Sequence, residues 1–260
     1  MNKTENPKVK KFLKEYYWNE ILELANEYPD VRSLQISFPK IELFERHLAK
    51  EVLNTPEKLI EELVSALKEI DLPVDKPFDE VYVRILDVPY KIRIGDLRSK
   101  DLGKFVSIEG MIRKATEVRP KIIRAAFQCL RCGHITYVEQ TNGSKFEEPF
   151  AGCEEETCGK KGPFKLVQTE STYVDAQRLQ IQEPPEDLRG TQAQCLDVDA
   201  DNDLTGLLLP GERVIINGVL KSVQRTTKDG KSTFFDLFLE ANSIERMSTA
   251  FDELEISSTD

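Results

Sequence analysis

Two close pairs of cysteines constrain this 260-residue chain more than any other feature. Cys129-Leu-Arg-Cys132-Gly and Cys153-Glu-Glu-Glu-Thr-Cys158-Gly stand about 20 residues apart. A glycine after each pair lets the chain turn with its N–H groups facing two thiolates. Two such knuckles build a tetrahedral site for one ion. Four thiolates leave no open coordination position, so the pattern reads as one structural Zn2+ per chain. Two other readings share it: disulfides need an oxidising compartment, which nothing in the sequence supports, and iron also accepts a four-thiolate tetrahedron. A unit this small has too little core to fold without its metal, so residues 127–165 are expected to order around it. His134 reads as a neighbour of the site rather than a ligand, and the isolated Cys195 as a packed thiol.

The segments on either side differ in character. Residues 1–78 carry helical periodicity: Val9, Phe12, Leu13, Tyr16, Tyr17, Ile21, Leu22 and Leu24 recur at three- and four-residue spacing. A second helix is predicted around LFERHLAKEVL. A third begins with Thr55 as cap and Pro56 at the first position, with an apolar face from Leu59 to Ile70. The prolines of LPVDKP end this helical bundle. From Glu80 onward VYVRIL, FVSIEGMI, KIIRAAFQC, STYVDAQRLQIQE, ERVIINGVLKSV and TFFDLFLEANSIE are strand-rich and punctuated by Gly, Pro and Asp. They predict a small β-barrel over 79–126 and 166–247, with the cysteine segment 127–165 inserted and an acidic linker over 248–260. The fold class is α+β.

A net charge of −10 would repel a polyanion as a whole, but its distribution matters more than its sum. Met111 to Arg124 holds five basic residues and one acidic, and Lys221 to Lys231 holds four and one. Either these form a focused anion site or they are solvated strand faces. No uncharged run approaches the roughly 20 residues of a membrane helix, and the N-terminus lacks a secretory apolar run. A soluble, intracellular protein without a membrane partner is expected.

No catalytic constellation emerges. The histidines are His47, which reads as helix packing, and His134. DVDADND lacks the glycine and closing glutamate of a calcium loop, and reads as a solvated connection. TTKDGKST ends like a phosphate-binding loop, yet that loop needs a glycine where Arg225 stands, and strand-like residues follow where a helix should. Asp229-Gly230 instead predicts a tight turn joining VIINGVLKSV to TFFDLFLEA in a hairpin near 221–235. No nucleotide site and no enzyme activity are expected of this chain. The hairpin tip would carry Arg225, Lys228 and Lys231, with Lys221 nearer its base.

The order of these features resembles the N-terminal half of the minichromosome maintenance (MCM) replicative helicases, archaeal members in particular, over nearly all of residues 10–247. IQEPPED and PGERVIINGVL carry the resemblance most specifically. It implies an OB-fold barrel, an inserted zinc unit and a hexameric ring that zinc units can pair into a double ring. It also implies a channel hairpin whose Arg225, Lys228 and Lys231 contact single- or double-stranded DNA. Arg113, Lys114 and Arg119 become candidates for a second DNA contact across the barrel. Arg178 joins them, lying two residues before Gln180, where some relatives have arginine. EPPEDLRGTQAQ is similar to the segment that communicates with the ATPase motor, which would follow residue 260 in an ATP-dependent DNA helicase working with other replication factors. A stand-alone monomeric zinc-ribbon and OB-fold protein binding single-stranded nucleic acid is the alternative.

Overall fold

Apolar side chains at helical spacing drive the N-terminal segment into α1 (Pro7–Tyr16) and α2 (Trp18–Glu27). The computed structural model describes residues 7–72, 78–140, 146–155, 157–159, 161–187, 192–227 and 230–247. The break at Tyr17, inside the single helix predicted there, goes with a tertiary contact: its buried hydroxyl accepts the Ser37 N–H at 2.7 Å. β1 (Ser33–Ser37) then interrupts a stretch expected to be helical, because five residues with Leu34 and Ile36 inward are too short to stand out as alternation. α3 (Phe38–Phe44) and α4 (Arg46–Asn54) divide the expected second helix at Glu45. His47 is not packed; its exposed ring lies 3.5 Å from Glu51. α5 (Pro56–Lys68) starts at the expected proline, but the Thr55 hydroxyl donates backward to Glu51 O at 3.3 Å instead of capping it.

β2 (Tyr82–Leu86) runs parallel to β1, Ser33 opposite Tyr82, and with the helices encloses a core that includes Phe12, Leu13, Ile21, Ile36, Leu67 and Ile85. The strands that follow are β3 (Phe105–Ala115), β4 (Arg119–Cys129), β5 (Ile135–Glu139), β6 (Phe164–Leu166), β7 (Thr172–Gln182), β8 (Cys195–Asp201), β9 (Arg213–Thr227) and β10 (Gly230–Arg246). The chain divides into two compact units, residues 1–116 with 178–260, and residues 117–177.

In the first unit the strands pair in the order β3–β9–β10–β8–β7, and β3 also pairs with β7. The pairing path therefore returns to its start through five strands, the connectivity of a small closed barrel. Ile108, Ile112, Leu179, Ile181, Val198 and Leu239 fill a second core. β8 corrects the reading of DVDADND as a loop: Leu196, Val198 and Ala200 point inward while Asp197, Asp199 and Asp201 alternate with them on the outer side. Three aspartates depress strand propensity, yet the period of two survives them. The long β9–β10 hairpin pairs Thr227 with Gly230. The predicted turn at Asp229-Gly230 falls on a stretch of chain whose Lys228 and Asp229 lie outside the described residues. Gly218 makes this pairing possible, since a Cβ there would lie 2.2 Å from Glu240 O.

A polar seam joins β2 to β10. Asn242 Oδ1 accepts the Ile85 N–H at 2.8 Å, Asn242 Nδ2 donates to Val83 O at 2.9 Å, and the Ser243 hydroxyl donates to Ile85 O at 2.5 Å. Arg84 pairs with Asp203 and donates through Nη1 to Asn242 O at 3.0 Å. In the second unit β4 lies between β5 and β6, with Ala126 opposite Tyr137 and Phe127 opposite Leu166, and pairs with the first part of β7.

Candidate metal centre and nucleic-acid interface

Cys129 closes β4, and the Gly133 N–H donates to Cys129 O at 2.8 Å with Gly133 at φ +80°. This is the first knuckle. The second turns where the Cys158 and Gly159 N–H groups both donate to Glu155 O at 3.0 Å. All four sulfurs lie within 4.8 Å of one another. Cys129 and Cys158 Sγ are 3.9 Å apart, Cys132 and Cys153 Sγ 3.5 Å. A tetrahedron of sulfurs about 2.3 Å from a central ion has edges of about 3.8 Å. All four are free thiols, and their separations are far beyond the ~2.05 Å of a disulfide.

Electrostatics agrees with a cation between them. N–H groups of Cys132 and Arg131 pull the Cys129 thiol down to about 6. At Cys132 the His134 N–H also lowers the value, but burial and the neighbouring sulfurs push it up to about 12. Cys153 is raised as well: the Glu155 N–H lowers it, but burial and the charge of Cys129 outweigh that. One thiolate is thus favoured and further ionisation is opposed by crowding, which a divalent cation would relieve. The four residues are positioned to bind a metal ion. His134 stays outside the cluster, with its Nδ1 3.4 Å from Glu155 Oε2.

The sequence-predicted cations fall on both units. In the first, Arg225 projects from β9, exposed, and is gripped by Asp236 of β10 through Nε at 3.0 Å and Nη2 at 2.5 Å. Arg178 of β7 is gripped by Asp199 of β8 in the same manner, at 2.6 and 2.8 Å. Both guanidinium groups are held above their ordinary value, chiefly by these hydrogen bonds, and the Asp236 carboxyl is held below its own. Lys221 is half-buried between Glu57, at 2.8 Å, and Glu240. Burial lowers its affinity for a proton, but the two carboxylates more than compensate and leave it raised. Lys114 is exposed on β3. Arg113, also exposed, donates through Nη1 to Cys195 Sγ at 3.3 Å. Cys195 is therefore not a core thiol but a half-exposed one on the outer side of β8. Gln180 faces the same way as Arg178 and donates to Asp197 at 3.0 Å. In the second unit Arg119 lies on β4, 3.7 Å from Glu117. The backbone of Lys231 pairs with Thr226; Lys228 lies outside the described residues.

Sequence reasoning missed two features here. Phe234 and Phe235, consecutive on β10 before Asp236 and therefore on opposite sides of the hairpin, are 75% and 54% exposed, though the sequence had suggested ordinary strand residues. The aspartate partners were also missed, because only the cross-strand register brings them to the arginines. Glu183 of IQEPPED is buried and accepts the Gly95 N–H at 2.8 Å and the Gln194 N–H at 3.3 Å, so it pins both ends of the loop that follows β7. No helix among the described residues is long and apolar enough to cross a membrane.

Comparison with known proteins gives one answer. The profile of the MCM OB domain matches residues 92–224. The chain is 31% identical over 254 residues to the minichromosome maintenance protein MCM of Saccharolobus solfataricus, covering 93% of this chain and 37% of that protein's length. DNA replication licensing factor MCM6 of Arabidopsis thaliana is 30% identical over 148 residues, 56% of this chain and 17% of its own. A crystal structure of the N-terminal domain of an archaeal MCM superposes with a TM-score of 0.77 at 34% identity, covering 93% of this chain and 98% of that one. With the domain profile matched across both cysteine knuckles and most of β9, the chain belongs to the MCM family.

Proposed function

We propose that this chain is the DNA-binding and ring-assembling N-terminal part of a replicative helicase, acting on chromosomal DNA within the cell. The observation that carries the reading is the β9–β10 hairpin, which carries exposed Arg225, Phe234 and Phe235 within a family whose relatives include DNA replication licensing factors. Exposed arginine neutralises phosphate, and exposed aromatic faces stack on bases without reading sequence, the combination that suits single-stranded DNA. Arg225, Lys228 and Lys231 contact the strand at the hairpin, with Lys221 behind them. Arg113, Lys114 and Arg178 supply a second tract, and Arg119, on the second unit, is a separate candidate contact. A ring repeats these few contacts and converts weak binding into useful affinity. The OB-fold barrel (79–126 and 166–247) carries the hairpin, the helical part (1–78) stands beside it, and 127–165 is ordered by Zn2+ on Cys129, Cys132, Cys153 and Cys158. Zinc fits because four thiolates at these separations complete its tetrahedron and leave no open position.

Fluorescence anisotropy of a labelled single-stranded oligonucleotide tests the reading. The Arg225/Lys228/Lys231→Ala variant should bind more weakly, with the slope of log K against log salt smaller by about 2, since each phosphate contact on a single strand contributes roughly 0.7. Equal binding and equal slope would remove the hairpin from the interface. Sedimentation velocity tests assembly, and elemental analysis of the purified chain should find about one zinc per chain for a four-thiolate structural site.

A further inference from the structure

Three arginines of the first unit are held by an aspartate in one way. In Arg84, Arg178 and Arg225, Nε and Nη2 both face a single carboxylate, that of Asp203, Asp199 and Asp236 respectively. A guanidinium is a rigid plane with five N–H groups, and this side-on grip uses two of them. What becomes of the remaining end separates the three. Arg84 is closed: Nη1 donates to Asn242 O at 3.0 Å, and its side chain is only 11% exposed. Arg178 and Arg225 are open, with side chains 55% and 59% exposed and no partner for Nη1 among the described residues. Their Nη1–Nη2 ends present two parallel N–H groups to solvent, the geometry that meets two phosphate oxygens at once.

The two open forks share one outer face. In the strand order β7–β8–β10–β9 the arginines stand on the outer strands and their aspartates on the inner ones. Three strand spacings separate the arginines, about 14 Å across the sheet. They are also offset along the strands, since Asp199 lies opposite Glu240, four residues along β10 from Asp236. That is too far for one phosphate, so each fork serves its own.

We propose that Asp199 and Asp236 are positioning residues for nucleic-acid phosphate, each holding its arginine side-on so that the opposite end is set for a phosphodiester of single-stranded DNA. The proposal rests on the reading above that this face binds DNA. Its sign is unusual. As bare charges, both aspartates repel a polyanion, and neutralising either should tighten binding. As positioning residues they do the opposite, because an arginine released from its fork must be ordered anew when the strand binds.

The test titrates labelled oligo-dT with the full 260-residue chain. Asp236→Asn and Asp199→Asn should each weaken binding by about threefold to tenfold, the loss for one long side chain no longer preordered. Asp197→Asn is the charge control: Asp197 lies on the same face but accepts from the amide of Gln180 and grips no arginine. It should bind as the wild type does, or more tightly. Arg225→Lys, which keeps the charge without the fork, should lose as much as Asp236→Asn, and combining the two should cost little more. All variants should stay folded at the titration temperature, as circular dichroism would show. If Asp236→Asn and Asp199→Asn bind as tightly as Asp197→Asn, the proposal is overturned while the DNA reading stands. If the wild type itself does not bind, both fall.

Discussion

At Tyr17 one hydroxyl settles a junction between two elements, because it accepts the Ser37 N–H where β1 hands over to α3. Tyr17→Phe leaves that N–H without its partner in a buried place, and equilibrium urea unfolding should register a loss of about 1–3 kcal/mol. The Arg225–Asp236 pair gives a pH prediction. The folded carboxyl is held below its ordinary value by Arg225. The stabilisation it contributes is thus fully present above the unfolded carboxyl's value of about 3.9 and is lost only as pH falls through the lower folded value. An NMR titration should find the Asp236 carboxyl still ionised near pH 4; a midpoint at or above the ordinary value would contradict the pair in solution. The cysteine cluster was legible at this scale because knuckle spacing is local in sequence. The aspartates were not: Asp236 lies 11 residues from Arg225 and Asp199 lies 21 from Arg178, and only strand register joins them.

Among elements, β9 and β10 depend on close approach. Gly218 lies in the stretch PGERVIINGVL, and the structure gives that glycine a reason: a methyl group would drive into Glu240 O of the partner strand. Backbone cannot yield there as a flexible side chain would. Gly218→Ala should cost about 3 kcal/mol or more, at or beyond the upper end of ordinary overpacking, and a thermal melt would reveal it. The hairpin itself was readable from its turn residues and flanking strands, and the strand register confirms the pairing of β9 with β10. β8 escaped detection because acidic residues on its outer side masked apolar alternation, and β1 because its pairing partner, β2, lies some 50 residues away. Long-range pairing leaves little trace in a short window of sequence.

Over the whole molecule the two compact units should answer differently to loss of the proposed metal. Residues 117–177 have β4, the short strands β5 and β6 and the first part of β7 with the four sulfurs, whereas the first unit has two apolar cores of its own. Chelation should therefore erase hydrogen-exchange protection across β4–β6 while leaving β9 and β10 protected; equal loss in both would refute metal-ordered folding of the second unit alone. The first unit has its own line of weakness. Its two cores adjoin where Arg84, Asp203, Asn242 and Ser243 exchange hydrogen bonds in place of greasy contacts, with Phe105 of β3 and Val219 of β9 belonging to the first core. Such a joint is brittle toward chaotropes and water but hardly toward cold, since its strength is not hydrophobic in origin. A calorimetric scan in mild urea should accordingly split into two heat-absorption peaks, one for each core, and Arg84→Ala should pull them further apart.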